Sequence, residues 1–294
     1  MSTKLFSEDV DIKPMKSGVS SLNYLARNDS GEYVVRLDLF RNEGEVKTDF
    51  EIAELSKGYG VNAPAYAMWV GNMEGASVSV REYAHGRVLS AASQLDEGTF
   101  ELCGLQLRNI HSAALPSKLR RPWFYATPLA NFRSMKLPGD ALIQKAVATL
   151  EVALAQLDPT SWKCGLVHTD FKFDNLVLNP DGIFVLDWEK ATWAPVLFDL
   201  GLALFHITTD PDNKPGNVSA FIHGYGGEGD YSENFQQQLK AMTRVAASIF
   251  FLVDAEISLI EASKSQVSRL GTRHAEYFNT YCIPRYEIFL EQSS

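Results

Sequence analysis

The stretch that decides the fold is VHTDFKFDN at residues 167–175, which contains the pattern His-x-Asp-x-Lys-x-x-Asn. Two short apolar runs follow it, at residues 176–178 and 183–186, and the turn-forming sequence NPDG at 179–182 joins them. Asparagine, proline, aspartate and glycine favour tight turns, so this segment predicts a hairpin. Because Asp187 follows the second apolar run, we expect the hairpin to bring Asp187 beside the end of the segment 167–175.

The residue types in this segment suit phosphoryl transfer from a magnesium–nucleotide complex. Such a reaction needs a carboxylate to orient or deprotonate the accepting hydroxyl and oxygen ligands to hold magnesium between the phosphates. Asp170 suits the first role, and Asn175 with Asp187 suits the second. Lys172 can place its ammonium near the transferred phosphoryl group and stabilise negative charge there. His168 is interpreted as a scaffold for the loop.

The N-terminal part of the chain predicts a small sheet with one helix. Its apolar segments are short and separated by Gly and Asn-Asp-Ser-Gly turn sequences, which is typical of strands in hairpins. The segment Glu45–Lys57 has helical spacing of apolar residues instead. The expected strands are Ile12–Lys16, Ser21–Ala26, Tyr33–Leu39, Ala65–Val70 and Ala76–Glu82.

The pattern changes after residue 84 and becomes mostly helical. We therefore predict an α+β fold with an N-terminal lobe at residues 1–84, built on an antiparallel sheet, and a mostly helical C-terminal lobe at residues 85–294. Helical periodicity marks the segments 100–115, 141–157, 197–206, 233–262 and 272–291.

These motifs resemble the aminoglycoside phosphotransferase and choline kinase superfamily, which has a bilobal protein-kinase-like fold. The resemblance rests on residues 167–175, on FVLDWE at 184–189, on FDLGLA at 198–203 and on LRNIH at 107–111. It implies a nucleotide site in the cleft between two lobes. It also implies that Asp199 is structural and ties the segment after Asp187 to the catalytic loop.

The resemblance extends to residues that would contact the nucleotide phosphates. Ser17, Gly18 and Ser20 lie where the family has its Gly-rich turn. Arg36 takes the place of the usual phosphate-contacting lysine, as in choline-kinase-like members. An arginine can hold phosphate oxygens with two parallel hydrogen bonds, so this exchange keeps the site competent.

Three further points of the nucleotide site follow from the same layout. Glu82 and Ala84 fall at the expected hinge, where the backbone would contact the adenine edge. The helix partner of Arg36 is expected to be acidic. Spacing favours Asp49, and two other acidic residues stay open as alternatives, Glu45 and Glu51. Glu189 is expected either to support the metal from outside its ligand set or to form a salt bridge.

Composition limits the partners of the chain. The 294 residues include 27 basic and 36 acidic side chains, a formal net charge of −9. Nucleic acids and anionic membranes are bound through clustered lysine and arginine, so neither is an expected partner. This overall acidity fits a cationic or neutral acceptor better, and the acidic stretch Asp210–Asp230 favours a cationic one. Three cysteines without paired spacing and no long apolar run predict a cytoplasmic protein without a disulfide framework.

We therefore predict an ATP-dependent phosphotransferase, with Mg²⁺, that moves the γ-phosphoryl group directly to a hydroxyl of a small molecule. Aminoglycosides, choline-like amino alcohols, hydroxy acids and sugars are all compatible acceptors. A Ser/Thr protein kinase is an alternative, but the spacing from Asp187 to Asp199 is short for an activation segment, and no Ala-Pro-Glu follows. A nucleotide-binding pseudokinase that acts as an interaction module is the other alternative, because the Gly-rich turn departs from the family pattern.

Overall fold

The computed structural model describes residues 10–15, 21–38, 40–64, 66–73, 75–89, 95–135, 137, 139–226, 232–263 and 274–293. Within these ranges, the first part of the chain forms an antiparallel five-stranded sheet in the order β1-β2-β3-β5-β4. The side chain of Asn28 closes the β2–β3 hairpin by accepting hydrogen bonds from the N–H groups of Ser30 (2.9 Å) and Gly31 (3.1 Å). The strands are β1 (Asp11–Pro14), β2 (Ser21–Asn28), β3 (Gly31–Asp38), β4 (Tyr66–Met73) and β5 (Ala76–Glu82).

One helix, α1 (Glu43–Lys57), packs against this sheet. It begins with a reciprocal cap: the Asn42 side chain accepts from the N–H of Glu45 (3.0 Å), and the Glu45 carboxylate accepts from the N–H of Asn42 (2.8 Å). Such caps satisfy backbone donors that have no partner inside the helix. The buried face of α1 contains Ile52 in the apolar core and Asp49 toward the second part of the chain.

The remainder of the chain is mostly helical, as predicted. Among the described residues no helix has both the length and the continuous apolar character needed to cross a membrane. A π-helical turn at Phe278–Cys282 precedes the last helix. The helices are α2 (Glu97–Ser112), α3 (Ala126–Asn131), α4 (Ala141–Leu154), α5 (Val196–Thr208), α6 (Asn217–Gly226), α7 (Glu233–Ser263) and α8 (Ile283–Ser293).

Short strands position the chemistry-bearing segment within this helical part. The strands β7 (Cys164–Val167) and β10 (Thr192–Pro195) pair antiparallel. The segment 168–191 between them therefore begins and ends at the same strand pair. Between them lies the predicted hairpin, β8 (Leu176–Asn179) with β9 (Gly182–Val185). The sequence did not predict β7, β10 or the two-residue strand β6 (Arg87–Val88), which pairs with β8.

The hairpin prediction and the division into a sheet part and a helical part agree with this architecture. Because β6 pairs with β8, the chain contacts the helical part within a few residues of the end of β5. The exact lobe boundary, residues 84 and 85, stays a prediction. Trp188, which is almost completely buried, anchors the segment after the hairpin in the core shared by α1 and α2.

Candidate active site

A single carboxylate fixes the start of the catalytic loop. Asp199, at the first turn of α5, accepts hydrogen bonds from the N–H groups of His168 (2.7 Å) and Thr169 (2.8 Å). It also accepts one from Nε2 of His111 at the end of α2 (3.1 Å). Thr169 has a φ of 63°, a conformation that is unfavourable for a β-branched residue and that persists only where the surroundings enforce it. The geometry agrees with the structural role implied for Asp199.

His168 is a scaffold residue, as interpreted from the sequence. Its Nδ1 accepts from the N–H of Asp170 (3.3 Å), and its Nε2 lies 2.9 Å from the carbonyl oxygen of Leu186, to which it donates. The N–H of Leu186 in turn donates to the carbonyl of Asn175 (2.8 Å). These bonds join the catalytic loop to the end of the hairpin. Asp187, the next residue, has a φ of 61°, a backbone conformation that is rare outside glycine. This conformation sets the direction in which its side chain leaves the backbone.

Asp170 lies buried at the centre of this arrangement. One carboxylate oxygen accepts from the side-chain amide of Asn175 (3.0 Å), and the other lies 3.2 Å from Nζ of Lys172. Burial alone would raise the pKa of Asp170, but Lys172 and Lys190 outweigh it and hold that pKa well below its usual range. The same pairing raises the pKa of Lys172 against the effect of burial. Asp170 is therefore an anion and Lys172 a cation at neutral pH.

On the other side of Asp187, Arg36 of β3 contacts three carboxylates. Its Nε lies 3.2 Å from Asp38, its Nη1 lies 3.1 Å from Asp187, and its Nη2 bonds to Glu189. Burial would raise the pKa of Asp187, but Arg36 holds it below its ordinary value. Burial and the nearby Asp187 raise the pKa of Glu189. Glu189 forms the salt bridge that the sequence left as one option, and its support of the metal stays a prediction.

The expected helix partner of Arg36 is wrong. Asp49 of α1 instead accepts two hydrogen bonds from Arg41 (2.7 and 2.8 Å) and one from Arg121 (2.7 Å). The other two acidic alternatives do not fit either, because Glu45 caps α1 and Glu51 is exposed on the surface. The reason is proximity: Asp38, two residues after Arg36 on the same strand, and the carboxylates of the segment after β9 already occupy the guanidinium.

Arg121 is a site residue that the sequence did not indicate. Besides Asp49, it donates to the carbonyl oxygens of Trp188 (2.9 Å) and Ala191 (2.8 Å). It therefore joins α1 to the segment that carries Asp187 and Glu189. Sequence patterns could not find it, since the residues that it bridges lie about 70 positions away on either side.

The donor set around Asn175 and Asp187 fits a hard divalent cation. The Asn175 amide group donates to both the carbonyl and the carboxylate of Asp170, so its oxygen is the end that can ligate. Asp187 already pairs with a guanidinium, which shows that its position favours positive charge. A carboxylate and an amide oxygen are ligands that Mg²⁺ accepts, together with water and phosphate oxygens.

The C-terminal helices form a wall beside Lys172. Its Nζ lies 3.4 Å from the hydroxyl of Tyr277 and 5.2 Å from the centre of that ring. Tyr277 stacks on Tyr281, with ring centres 4.9 Å apart, and the Tyr281 hydroxyl lies 3.1 Å from Nδ1 of His206. Arg285 covers the Tyr281 ring at 4.4 Å. Tyr286 and Phe289 are buried in the core, and Tyr277 and Tyr281 are partly buried against it.

The remaining predicted site residues divide into two groups. Ser17, Gly18 and Ser20 lie outside the described residues. Glu82 is the last residue of β5, and Ala84 lies between β5 and β6. The N–H of Tyr83, between them, donates to the carbonyl of Glu32 (2.9 Å). This segment connects the sheet with the helical part, as a hinge would.

Comparison with known proteins now decides the family. The model of the phosphotransferase enzyme family (APH) matches residues 11–234. The chain belongs to this family. The matched range contains the sheet, the catalytic loop and the hairpin, so the motifs that suggested the family lie inside it.

Solved structures of the family share the fold. A spectinomycin phosphotransferase, determined in complex with ADP and spectinomycin, aligns with a TM-score of 0.71 at 18% identity and covers 95% of this chain and 91% of its own. A choline/ethanolamine kinase family protein from Mesorhizobium loti aligns with a TM-score of 0.62 at 15% identity, covering 95% and 92%. The predicted α+β, protein-kinase-like fold and the predicted superfamily are confirmed.

A curated relative is much longer than this chain. It is the acyl-CoA dehydrogenase family member 11 of Gallus gallus, 24% identical over 233 residues. The match covers 72% of this chain and 30% of that protein. The similarity therefore concerns one part of the longer relative.

Proposed function

We propose that this phosphotransferase moves the γ-phosphoryl group of ATP to a hydroxyl of a small molecule by direct in-line transfer. The observation that carries the proposal is the convergence of Asp170, Asn175 and Asp187 at one end of the β8–β9 hairpin, with Arg36 facing them from the sheet. The hydroxyl oxygen attacks the γ-phosphorus while the bond to the β–γ bridging oxygen breaks. ADP leaves with that electron pair, and Asp170 receives the hydroxyl proton.

The low pKa of Asp170 is compatible with this role. Phosphoryl transfer proceeds through a loose transition state in which positioning and charge stabilisation matter more than strong base catalysis. An ionised Asp170 accepts a hydrogen bond from the hydroxyl and so aims its oxygen at the phosphorus. Lys172, beside it, would stabilise the negative charge on the transferred group.

Asn175 and Asp187 would hold Mg²⁺ against the nucleotide phosphates. The bound metal neutralises phosphate charge and so supplies electrostatic stabilisation to the transfer. Arg36 would contact phosphate oxygens. All three of its guanidinium nitrogens bond to carboxylates in the protein alone, so a phosphate contact requires exchange of at least one of them.

The backbone at Glu82 and Ala84 would bind the adenine edge, and Ser17, Gly18 and Ser20 would cover the phosphates; both assignments stay predictions. A cytoplasmic location is likewise a prediction. The acceptor would enter beside Asp170 on the side of Tyr277, because the opposite side is filled by the Arg36 contacts.

The test is ADP release by the purified protein with ATP and Mg²⁺ in the presence of hydroxylated compounds: aminoglycosides, amino alcohols, hydroxy acids and sugars. Products are identified as phosphate monoesters by ³¹P NMR. We expect acceptor-dependent ADP release with at least one compound class. A Ser/Thr peptide library as acceptor tests the protein kinase alternative. Tight nucleotide binding without ADP release in any reaction would favour the pseudokinase alternative and contradict the proposal.

A further inference from the structure

Lys190 acts on the proposed catalytic aspartate, Asp170, and forms no ion pair with any described residue. It ends the short 3₁₀ helix Trp188–Lys190, and its carbonyl oxygen accepts from the hydroxyl of Thr169 (2.9 Å), the residue next to Asp170. Its Nζ lies 5.0 Å from the ring centre of Phe124, a ring that is 39% exposed. In the part of the chain that the structure describes, no carboxylate lies within ion-pair distance of this ammonium.

Most of the acids near this region have a close partner of their own. Asp170 pairs with Lys172 at 3.2 Å, and Asp210 of the acidic stretch pairs with Arg285 at 2.9 Å. Asp254 lies 3.3 Å from Nε2 of His274. The adjacent Glu189 is held by Arg36, and Asp174 is exposed, so water and salt screen it. Lys190 takes part in none of these pairs.

A half-buried ammonium needs compensation for the water that it has lost. Burial lowers the pKa of Lys190, but Asp170 and Glu189 raise it further, so the side chain stays protonated. The carboxylates responsible act at a distance, and one of them is the residue that the acceptor hydroxyl must reach. A ligand that brings its own negative group satisfies Lys190 without competing for Asp170.

We propose that Lys190 binds an anionic oxygen group of the acceptor, which makes the acceptor a hydroxyl compound with a carboxylate or phosphate. The inference rests on the proposed function and deepens it. Phe124, exposed beside Lys190, would contact the apolar part of the same molecule. The acidic stretch that favoured a cationic acceptor does not oppose this, because its buried member Asp210 is neutralised by Arg285.

Lys190 could instead contact the transferred phosphoryl group, and the two roles predict different kinetics. A contact with the phosphoryl group would lower the rate for every acceptor by the same factor. A contact with the acceptor anion changes the ratio of kcat/KM between anionic and neutral acceptors, because only the anionic one loses a charge-assisted bond.

The experiment uses acceptors that differ in one group. We would compare 4-hydroxybutyrate, its neutral amide, the cationic 4-amino-1-butanol, and the pair glycerol 3-phosphate and glycerol. Each is assayed for ADP release with the parent, with Lys190→Met and with Lys145→Met, an exposed lysine on α4 as the matched control. The two pairs distinguish a carboxylate from a phosphate as the preferred group.

In the parent we expect an anionic compound to exceed its neutral and cationic analogues in kcat/KM. Lys190→Met should lower the anionic-to-neutral ratio about tenfold to a hundredfold, the worth of one charge-assisted hydrogen bond. Lys145→Met should leave the ratio unchanged. A preferred cationic acceptor, or an equal loss for all acceptors in Lys190→Met, would overturn the inference while leaving the proposed function intact. Absence of transfer to every compound here and in the wider acceptor panel would overturn both.

Discussion

Arg36 contacts the short segment after β9, Lys190 belongs to it, and the surroundings of these two cations differ sharply. Arg36 bonds to Asp38, Asp187 and Glu189, whereas Lys190 forms no ion pair among the described residues and rests on the ring of Phe124. On the proposed nucleotide side, Arg36 is paired within the protein before any ligand binds. On the proposed acceptor side, Lys190 would be available to a ligand.

The difference teaches how the site can be both rigid and selective. Alternating charges run from Asp187 through Arg36, Asp38, Arg41 and Asp49 to Arg121, and they join the sheet and α1 to the segment after the hairpin. In the proposed function, nucleotide binding would exchange partners within an existing network. Acceptor binding would add a partner for Lys190, so the proposed acceptor side is where substrates would be distinguished.

The largest effect that would separate the two sides is expected from Asp187→Ala. The variant loses a carboxylate ligand, so the affinity for ATP in Mg²⁺ should fall more than about a hundredfold. Affinity for metal-free ATP should not fall, because the change removes negative charge and frees Arg36. Isothermal titration with and without Mg²⁺ measures both, with Asp181→Ala in the exposed hairpin turn as the control. Parent-like affinity in Mg²⁺ would contradict the metal role of Asp187.

A second, smaller effect tests whether the nucleotide side is held from the helical part. Arg121→Leu removes charge-assisted bonds to Asp49, Trp188 and Ala191 and should lower the free energy of unfolding by about 2 to 4 kcal/mol. The matched control is Arg133→Leu, whose exposed pair with Glu151 should contribute less than about 1 kcal/mol. Urea unfolding of the two variants measures this difference in the free energy of unfolding. An equal loss of stability in both variants would contradict the role of Arg121 in joining α1 to the segment after the hairpin.

The smallest predicted effect concerns His206 on the acceptor side. Burial, with Lys172 and Arg285 nearby, holds the pKa of His206 well below its ordinary value. The unfolded chain therefore binds a proton below about pH 6.5 that the folded protein does not, and stability falls as the pH drops. The loss approaches about 1.4 kcal/mol for each pH unit below 6.5.

Urea unfolding at pH 7.5, 6.5 and 5.5 checks this dependence. His206→Asn should show a flatter profile than the parent, whereas His223→Asn, on the exposed surface of α6, should keep the parent's slope. Identical slopes in the parent and in His206→Asn would contradict the neutral state assigned to the buried imidazole.

Much of the fold was predictable because the periodicity of apolar residues is clear over long helices and strands. The helix at 45–57 and the strand at 76–82 both lie within two residues of their predicted bounds. The strands β6, β7 and β10 were missed because two to four residues carry too little pattern, and their pairing depends on distant partners. The β8–β9 hairpin was found because its turn residues are local.

The candidate site divides in the same way. Spacing within one loop located Asp170, Lys172 and Asn175, and the hairpin placed Asp187 beside them. The partner of Arg36 was wrong because the choice between acidic residues depends on which element arrives closest, and Asp187 lies 151 positions away. The unpaired state of Lys190 also required the structure, since an absent ion pair leaves no trace in a sequence.

The most direct test of the account is acceptor-dependent ADP release by Asp170→Asn at saturating ATP, with Asp181→Asn as the matched control. We expect a fall of about a hundredfold to ten-thousandfold, the worth of a positioned general base, together with a nucleotide affinity within threefold of the parent's. Asp181→Asn should match the parent in both measurements. Full activity in Asp170→Asn would contradict the claim that the catalytic loop acts through this carboxylate.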